Sequence, residues 1–300
     1  MINPNNKWRR YNTPLGICIN EKCETVISKY LVPNYQGQIQ LIFTSPPFPL
    51  NRAKKYGNLN GDEYKKWLCD VVKSMLPLLT EDGSIVIEIG NAWNYGEPTF
   101  STLPMETLLS IKNECSLSLC QEFIYYNPAR LPSPIQYVNI DRTRVKDSFT
   151  RVWWFSRSAT PKANNKNVLK QYSKQMKKLL ETGQYNAGER PSEHSISETA
   201  FNNDNGGAIP SNVIIASNTN SRDPYLLRCK EKGMKIHPAR MPFEVPRFFI
   251  NLLTDEGDIV MDCFAGSNTT GYCAEEAKRR WISVEADKDY YMGSKYRFMR

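Results

Sequence analysis

The sequence predicts an α/β protein, an open sheet with helices on both faces. Two observations lead there. Short β-prone apolar runs alternate with helical periodicities along most of the chain. Near the C-terminus, "DIVMDCFAGSNTTGYCAEEAKRRWISVEAD" reads as strand, glycine turn, helix, strand and terminal acid, an arrangement by which open α/β sheets hold nucleosides.

Taken in order, "LGICIN" (15–20) and "IQLIF" (39–43) read as short buried strands, with a helix around 22–33 between them. The second strand runs into "TSPPFPLNRAKKYGN", where adjacent prolines stop it and remove two backbone donors. "GDEYKKWLCDVVKSMLPLL" (61–79) places apolar residues at 64, 67, 68, 71, 72, 75, 76 and 79, which is helical spacing, and "EDG" (81–83) reads as the turn that ends it. "SIVIEIG" (84–90) is a buried strand interrupted by one carboxylate, Glu88. A helix around 103–114 and strands at 120–127 and 150–157 follow. The segment 158–224 is rich in Asn, Ser and Lys and poor in apolar runs, so it reads as an inserted module. "FEVPRFFINLLT" (243–254) returns to a helix.

Composition sets bounds. Three hundred residues with 40% apolar content can bury one large core, with or without an insertion. Lys+Arg 39 against Asp+Glu 31 gives +8, a balance that favours a polyanionic partner. The eight cysteines are scattered without a CxxC pair, and the two histidines add little. Neither a structural metal site nor a disulfide framework is indicated, and reduced cytosolic thiols fit. The polar "MINPNNKWRRYN" has no apolar h-region, so a soluble cytoplasmic protein is expected.

The glycine unit narrows the ligand. Gly266 and Gly271 have Walker A spacing, but Tyr272 stands where the lysine would be, so triphosphate binding is poorly supported. GxGxxG is absent as well. A nucleoside cofactor without phosphates fits better, S-adenosylmethionine being the common one. An ordinary glycine turn is the bland alternative.

"TSPPF", "FAGSNTTG" and the terminal "VEAD" together resemble the amino-group DNA methyltransferases of the beta arrangement, in which the catalytic motif precedes the cofactor motif. "SPPF" is similar to the N4-cytosine-specific members of restriction–modification systems; N6-adenine members usually carry an acid or amide where Ser45 stands. The resemblance extends through "YNPARLPSPIQYVN", "RVKDSFTRVWWFS" and "HPARMPFEVPRFFINLLT". It implies a Rossmann-like mixed seven-stranded sheet, a circularly permuted motif order, and a target-recognition insertion at 158–224. The catalytic part would occupy 1–157 and the cofactor part 225–300.

For the site, the resemblance implies that Ser45, Pro46, Pro47 and Phe48 hold an extruded base, with Glu88 beside the ring nitrogen. Asp262, Phe264, Gly266, Ser267 and Thr269 would serve the methionine moiety and its turn, Glu285 the ribose hydroxyls, and Ala286 the adenine. Thr44 and Ser45 would line the methyl end, with His237 packed over the cofactor's amino-acid part. Metal is not required. No Pro-Cys dipeptide exists, so direct transfer is expected rather than attack of a cysteine on the ring.

DNA contacts are read from basic clusters. Arg130, Arg142, Arg144 and Lys146 are candidate phosphate clamps, and Arg190, Ser192 and His194 candidate base readers. Arg52, Lys54 and Lys55 form a basic turn that could close over the base. Lys174, Lys177 and Lys178 are either phosphate contacts or a solvated helix face. Double-stranded DNA is the expected partner and a monomer the expected working form. N6-adenine methylation, and a non-catalytic DNA-binding protein on the same fold, are the competing readings.

Overall fold

The computed structural model describes residues 8–48, 59, 61–183, 188–189, 191, 195–197 and 202–299. The chain divides into two compact units. One comprises the described residues up to Ala163 together with those from Asn212 on, and the other is Asn164–Ser211.

In the larger unit, nine strands among the described residues form one sheet: β1 (Arg9–Asn12), β2 (Gly16–Asn20), β3 (Ile39–Thr44), β4 (Leu79–Gly90), β5 (Ser118–Tyr126), β6 (Phe149–Ser156), β7 (Val213–Ile215), β8 (Ile259–Asp262) and β9 (Arg280–Glu285). Their spatial order is β1-β2-β9-β8-β3-β4-β6-β5-β7. The five strands from β2 to β4 in this order are mutually parallel, while β4–β6 and β6–β5 are antiparallel. The expected seven strands become nine for two reasons. Arg9–Asn12 adds an antiparallel hairpin partner to β2, and Val213–Ile215 pairs parallel to β5. The latter also narrows the segment set apart at 158–224, because a three-residue apolar run inside it closes the sheet edge.

β3 is buried along its whole length between β8 and β4, as expected of an apolar strand with parallel neighbours on both sides. One face is covered by the helical run Cys23–Val26, Ile27–Leu31 (a π turn) and Val32–Tyr35, by Gly61–Met75 and by Leu103–Glu114. Tyr64, Leu68, Val72 and Met75 enter the core at helical spacing. On the other face Glu244–Leu253 packs Phe249 against Phe43, ring centroids 5.7 Å apart.

The turn expected at 81–83 is instead an irregularity inside β4. Ile39 pairs with Leu79 and Leu41 with Ser84, so residues 80–83 bulge opposite Gln40. The Thr80 hydroxyl donates to Gln40 Oε1 (2.8 Å), which holds the bulge to β3.

The smaller unit holds the helix Lys174–Thr182, whose start is fixed by Ser173 accepting from the Met176 amide (3.1 Å). It ends at Gly183 in the left-handed region, φ +66°. Asn165–Val168, before it, is a separate 3-10 turn. Among the described residues no helix is long and apolar enough to cross a membrane.

Candidate active site at the carboxyl edge of the sheet

Because β2, β9, β8, β3 and β4 run in the same direction, Glu285, Asp262, Thr44 and the end of β4 arrive at one edge of the sheet. A cleft of about 1040 Å³ lies there, and Ser45, Pro46, Pro47, Phe48, Glu88, His237, Asp262, Phe264, Gly266, Ser267, Thr269, Glu285 and Ala286 all line it. Residues separated by most of the chain thus share one concave surface.

One side of the cleft is built on the turn after β8. Gly266 adopts φ +53°, and a Cβ there would stand 3.0 Å from His237 Nε2, so glycine alone suits both the backbone and the close approach. The Gly266 amide donates to Glu285 Oε2 (2.6 Å) and the Asp287 amide to Oε1 (2.7 Å). Burial nevertheless raises the Glu285 carboxyl to about 7. Asn268, also left-handed at φ +55°, caps the helix Thr269–Glu276 by accepting from the Gly271 amide (3.1 Å). Its Nδ2 donates to the Tyr11 hydroxyl (2.9 Å), which ties the turn to β1.

Asp262 lines the cleft, but its carboxylate is engaged in holding the turn. Oδ1 accepts from the Phe264 amide (3.0 Å) and the Thr44 hydroxyl (2.8 Å), and Oδ2 from the Thr270 hydroxyl (2.7 Å). Burial raises its pKa, and these three donors oppose that shift. Thr44 is fully buried beneath the lining, bonded to Asp262, while Ser45 lines the cleft.

Across the cleft, Glu88 is buried and accepts a hydrogen bond from the Thr150 hydroxyl (2.8 Å), with the Ser45 hydroxyl as a second donor near enough to stabilise its charge. Burial pushes its carboxyl above the usual range, while these two donors and the positive charge of Arg130 pull it back. Phe48 stands against Gly90, where any Cβ would overlap its ring.

The basic residues separate. Arg130 lines the cleft and donates to the Phe149 carbonyl (3.1 Å). Arg144 stacks over Trp93, 3.6 Å from the ring centroid, and donates to the Pro98 carbonyl (2.6 Å). Lys146 donates to the carbonyls of Pro128 and Arg130, and Arg142 is exposed. Lys174, Lys177 and Lys178 are exposed on their helix. Arg52, Lys54, Lys55, Arg190, Ser192 and His194 lie outside the described residues.

Sequence reasoning misses the support beneath the turn. Arg297 is nearly fully buried; its Nε donates to the Ser267 carbonyl (2.6 Å) and its Nη2 to the Ser267 hydroxyl (2.9 Å). Its Nη1 meets Asp223 Oδ1 (3.2 Å), and Arg240 Nη1 meets Oδ2 (3.0 Å). Arg240 stands in the quoted "HPARMP" run, but no local pattern marks Arg297. Periodicity places Trp67 among the core positions of its helix. It packs against that core and also lines the cleft, donates to Glu24 Oε1 (3.0 Å), and lies 5.6 Å from the Phe264 ring.

The geometry suits a nucleoside cofactor without phosphates. Glu285 is an acceptor held by backbone amides, free to receive hydroxyl donors; Phe264 and Trp67 give an apolar wall; and the turn offers no lysine for a triphosphate. Fold and site together define an S-adenosylmethionine-dependent methyltransferase. The chain belongs to the N6/N4 DNA methylase family, whose signature, described as "DNA methylase", matches residues 39–295.

A relative, the type II methyltransferase M.PvuII of Proteus hauseri, is 44% identical over 263 residues, covering 87% of this chain and 78% of the relative. The solved PvuII DNA methyltransferase, a cytosine-N4-specific enzyme, superposes with a TM-score of 0.78 at 35% identity, covering 97% of this chain and 88% of that one. The M1.HpyAVI–SAM complex shares the fold at 15% identity, with a TM-score of 0.56 and coverage of 94% and 98%.

Proposed function

We infer that this enzyme transfers a methyl group from S-adenosylmethionine to the exocyclic N4 of cytosine in duplex DNA. The observation that carries the reading is that Ser45 and Pro46, at the end of β3, share one cleft with the buried Glu88, whose charge Ser45 helps to stabilise, and with the Gly266–Glu285 turn. The cytosine-N4 specificity of the PvuII methyltransferase supports cytosine over adenine.

Cytosine's amino lone pair is delocalised into the ring, so the enzyme must draw the nitrogen towards tetrahedral geometry. The cofactor, when bound, supplies a methyl group on a positively charged sulfur. Glu285 would hold its ribose hydroxyls, Phe264 and Ala286 its base, and the Ser267–Thr269 turn its amino-acid end under His237. Ser45 Oγ, beside Glu88, would donate to that carboxylate and keep lone pairs for an amino hydrogen of the target. The Pro46 carbonyl accepts the other, since neither Pro46 nor Pro47 has an N–H to bring a competing backbone ladder. As N4 gains its new bond it sheds a proton, which Ser45 passes towards the Glu88 carboxylate. The raised Glu88 pKa makes that carboxylate a stronger base than a surface glutamate.

The base reaches this corner by leaving the duplex, with Phe48 as a stacking face. Residues 164–211 read the target sequence, and Arg142, Arg144 and Lys146 lie along the DNA backbone. The enzyme acts as a cytoplasmic monomer and protects its host's DNA from a cognate endonuclease. The test is to incubate the protein with duplex DNA and labelled cofactor, digest to nucleosides, and identify the labelled base by mass spectrometry. N4-methylcytosine is expected; label in N6-methyladenine, or none, overturns the reading.

A further inference from the structure

Two polar groups in the cleft are not used by the transfer step. Tyr125 on β5 is 7% exposed, lines the cleft, and its hydroxyl makes no hydrogen bond with the described residues. Arg130 follows the turn after β5, and its guanidinium is anchored at Nη1 to the Phe149 carbonyl. The neighbouring residue on β6, Thr150, donates to Glu88, and Tyr125 is the register partner of Thr150. One short stretch of β6 therefore fixes Glu88 and Arg130 side by side with Tyr125 next to them, and the positive charge of Arg130 is felt by both Glu88 and Tyr125. Phe149 is the one hydrogen-bond partner of that guanidinium among the described residues, which leaves the rest of the fork to meet a ligand.

A cytosine held by its amino group at Ser45 presents, in sequence along one edge, the N4 donor, the N3 acceptor and the O2 acceptor. Adenine held the same way presents N6, N1 and then a C–H, with nothing to accept a hydrogen bond. We propose that Arg130, with the Tyr125 hydroxyl, recognises the 2-carbonyl oxygen of the flipped cytosine and is the positioning element that selects cytosine. This rests on the N4-cytosine reading above. It gives that selection a cause beyond Ser45, because adenine would leave a desolvated guanidinium and phenol facing carbon.

The methylated position is first mapped on plasmid DNA propagated without the enzyme. A duplex with cytosine there is then compared with one carrying 2-thiocytosine, which keeps the amino group and ring nitrogen and weakens only the acceptor at the 2-position. The wild type should lose about 10- to 100-fold in kcat/KM on the thio duplex. Arg130→Met should lose a similar factor on ordinary cytosine and become indifferent to the sulfur. Arg130→Lys should recover both rate and sensitivity in part, and Tyr125→Phe, which removes one atom, should show a smaller version of the same pattern. Cofactor affinity by calorimetry should be unchanged throughout. An Arg130→Met enzyme that still discriminates against sulfur as the wild type does, or a wild type blind to it, overturns the proposal while leaving cytosine methylation intact. Label on adenine in the plasmid overturns both.

Discussion

Thr44 Oγ1 donates to Asp262 Oδ1 across 2.8 Å, joining the last residue of β3 to the last residue of β8. The strand that carries the Ser45 corner and the strand that leads into the Gly266 turn are thereby bound to each other at the ends that face the cleft. Neither side chain needs to touch substrate for this bond to set the distance between the two halves of the reaction.

Replacing Thr44 with valine keeps the shape and removes the donor. A buried carboxylate then loses one of its three described donors, which should cost about 1–3 kcal/mol of stability in urea unfolding. Cofactor affinity should weaken alongside, because the turn is held by the same carboxylate. Unchanged stability would mean that the bond is incidental.

Cofactor affinity should depend on pH through Glu285. Its carboxyl is raised to about 7, so it is protonated below that value and becomes an anionic acceptor for ribose hydroxyls above it. Binding should therefore strengthen as pH rises through 7 and weaken as it falls, by about 10-fold between pH 8 and pH 6. Calorimetric titration with S-adenosylmethionine at several pH values reads this directly, and Glu285→Gln should flatten the profile.

Ser45→Ala removes the hydroxyl between the target amino group and Glu88. Turnover should fall by about 100-fold or more with cofactor affinity within about threefold of wild type. Loss of cofactor binding instead would place the corner in the wrong half of the cleft.

Gly90→Ala probes Phe48 without altering it. The added methyl would overlap the Phe48 ring, so the ring must move. Displacement of the stacking face by about 1 Å should cost about 100-fold in turnover, again with cofactor binding retained. A fully active variant would show that Phe48 does not position the base.

Arg297→Met leaves Asp223 buried with Arg240 as its remaining described cation and frees the Ser267 carbonyl. The expected loss is about 3–5 kcal/mol by urea unfolding. Combining it with Asp223→Asn should cost less than the sum of the two, since the partners share one interaction.

Much of the architecture is legible because it is written in local patterns. The helix at 103–114 and the strands at 39–43 and 84–90 follow from apolar periodicity, and Ser45 and Gly266 from turn chemistry that other residues satisfy poorly. The same logic fails where pairing is distant. Val213–Ile215 is too short to stand out in its Asn- and Ser-rich surroundings, and only its pairing with β5 makes it a strand. The 80–83 bulge reads locally as a turn because its partner, Gln40, lies across the sheet. Arg297 and Asp223 are ordinary surface types by composition, and their burial together depends on the chain's last turn returning beneath the Ser267 loop. Thr44 and Ser45 are chemically alike, and only the fold shows that Thr44 is buried while Ser45 lines the cleft.

The chain leaves the larger unit after Ala163 and re-enters it at Asn212, beside β7 at the sheet edge. The pieces that perform transfer are therefore contiguous in space but interrupted in the gene by a cassette whose two junctions lie outside β6 and β7. Given the reading role proposed above for residues 164–211, such wiring would let that unit be exchanged for another while the strands carrying Ser45 and Gly266 keep their register.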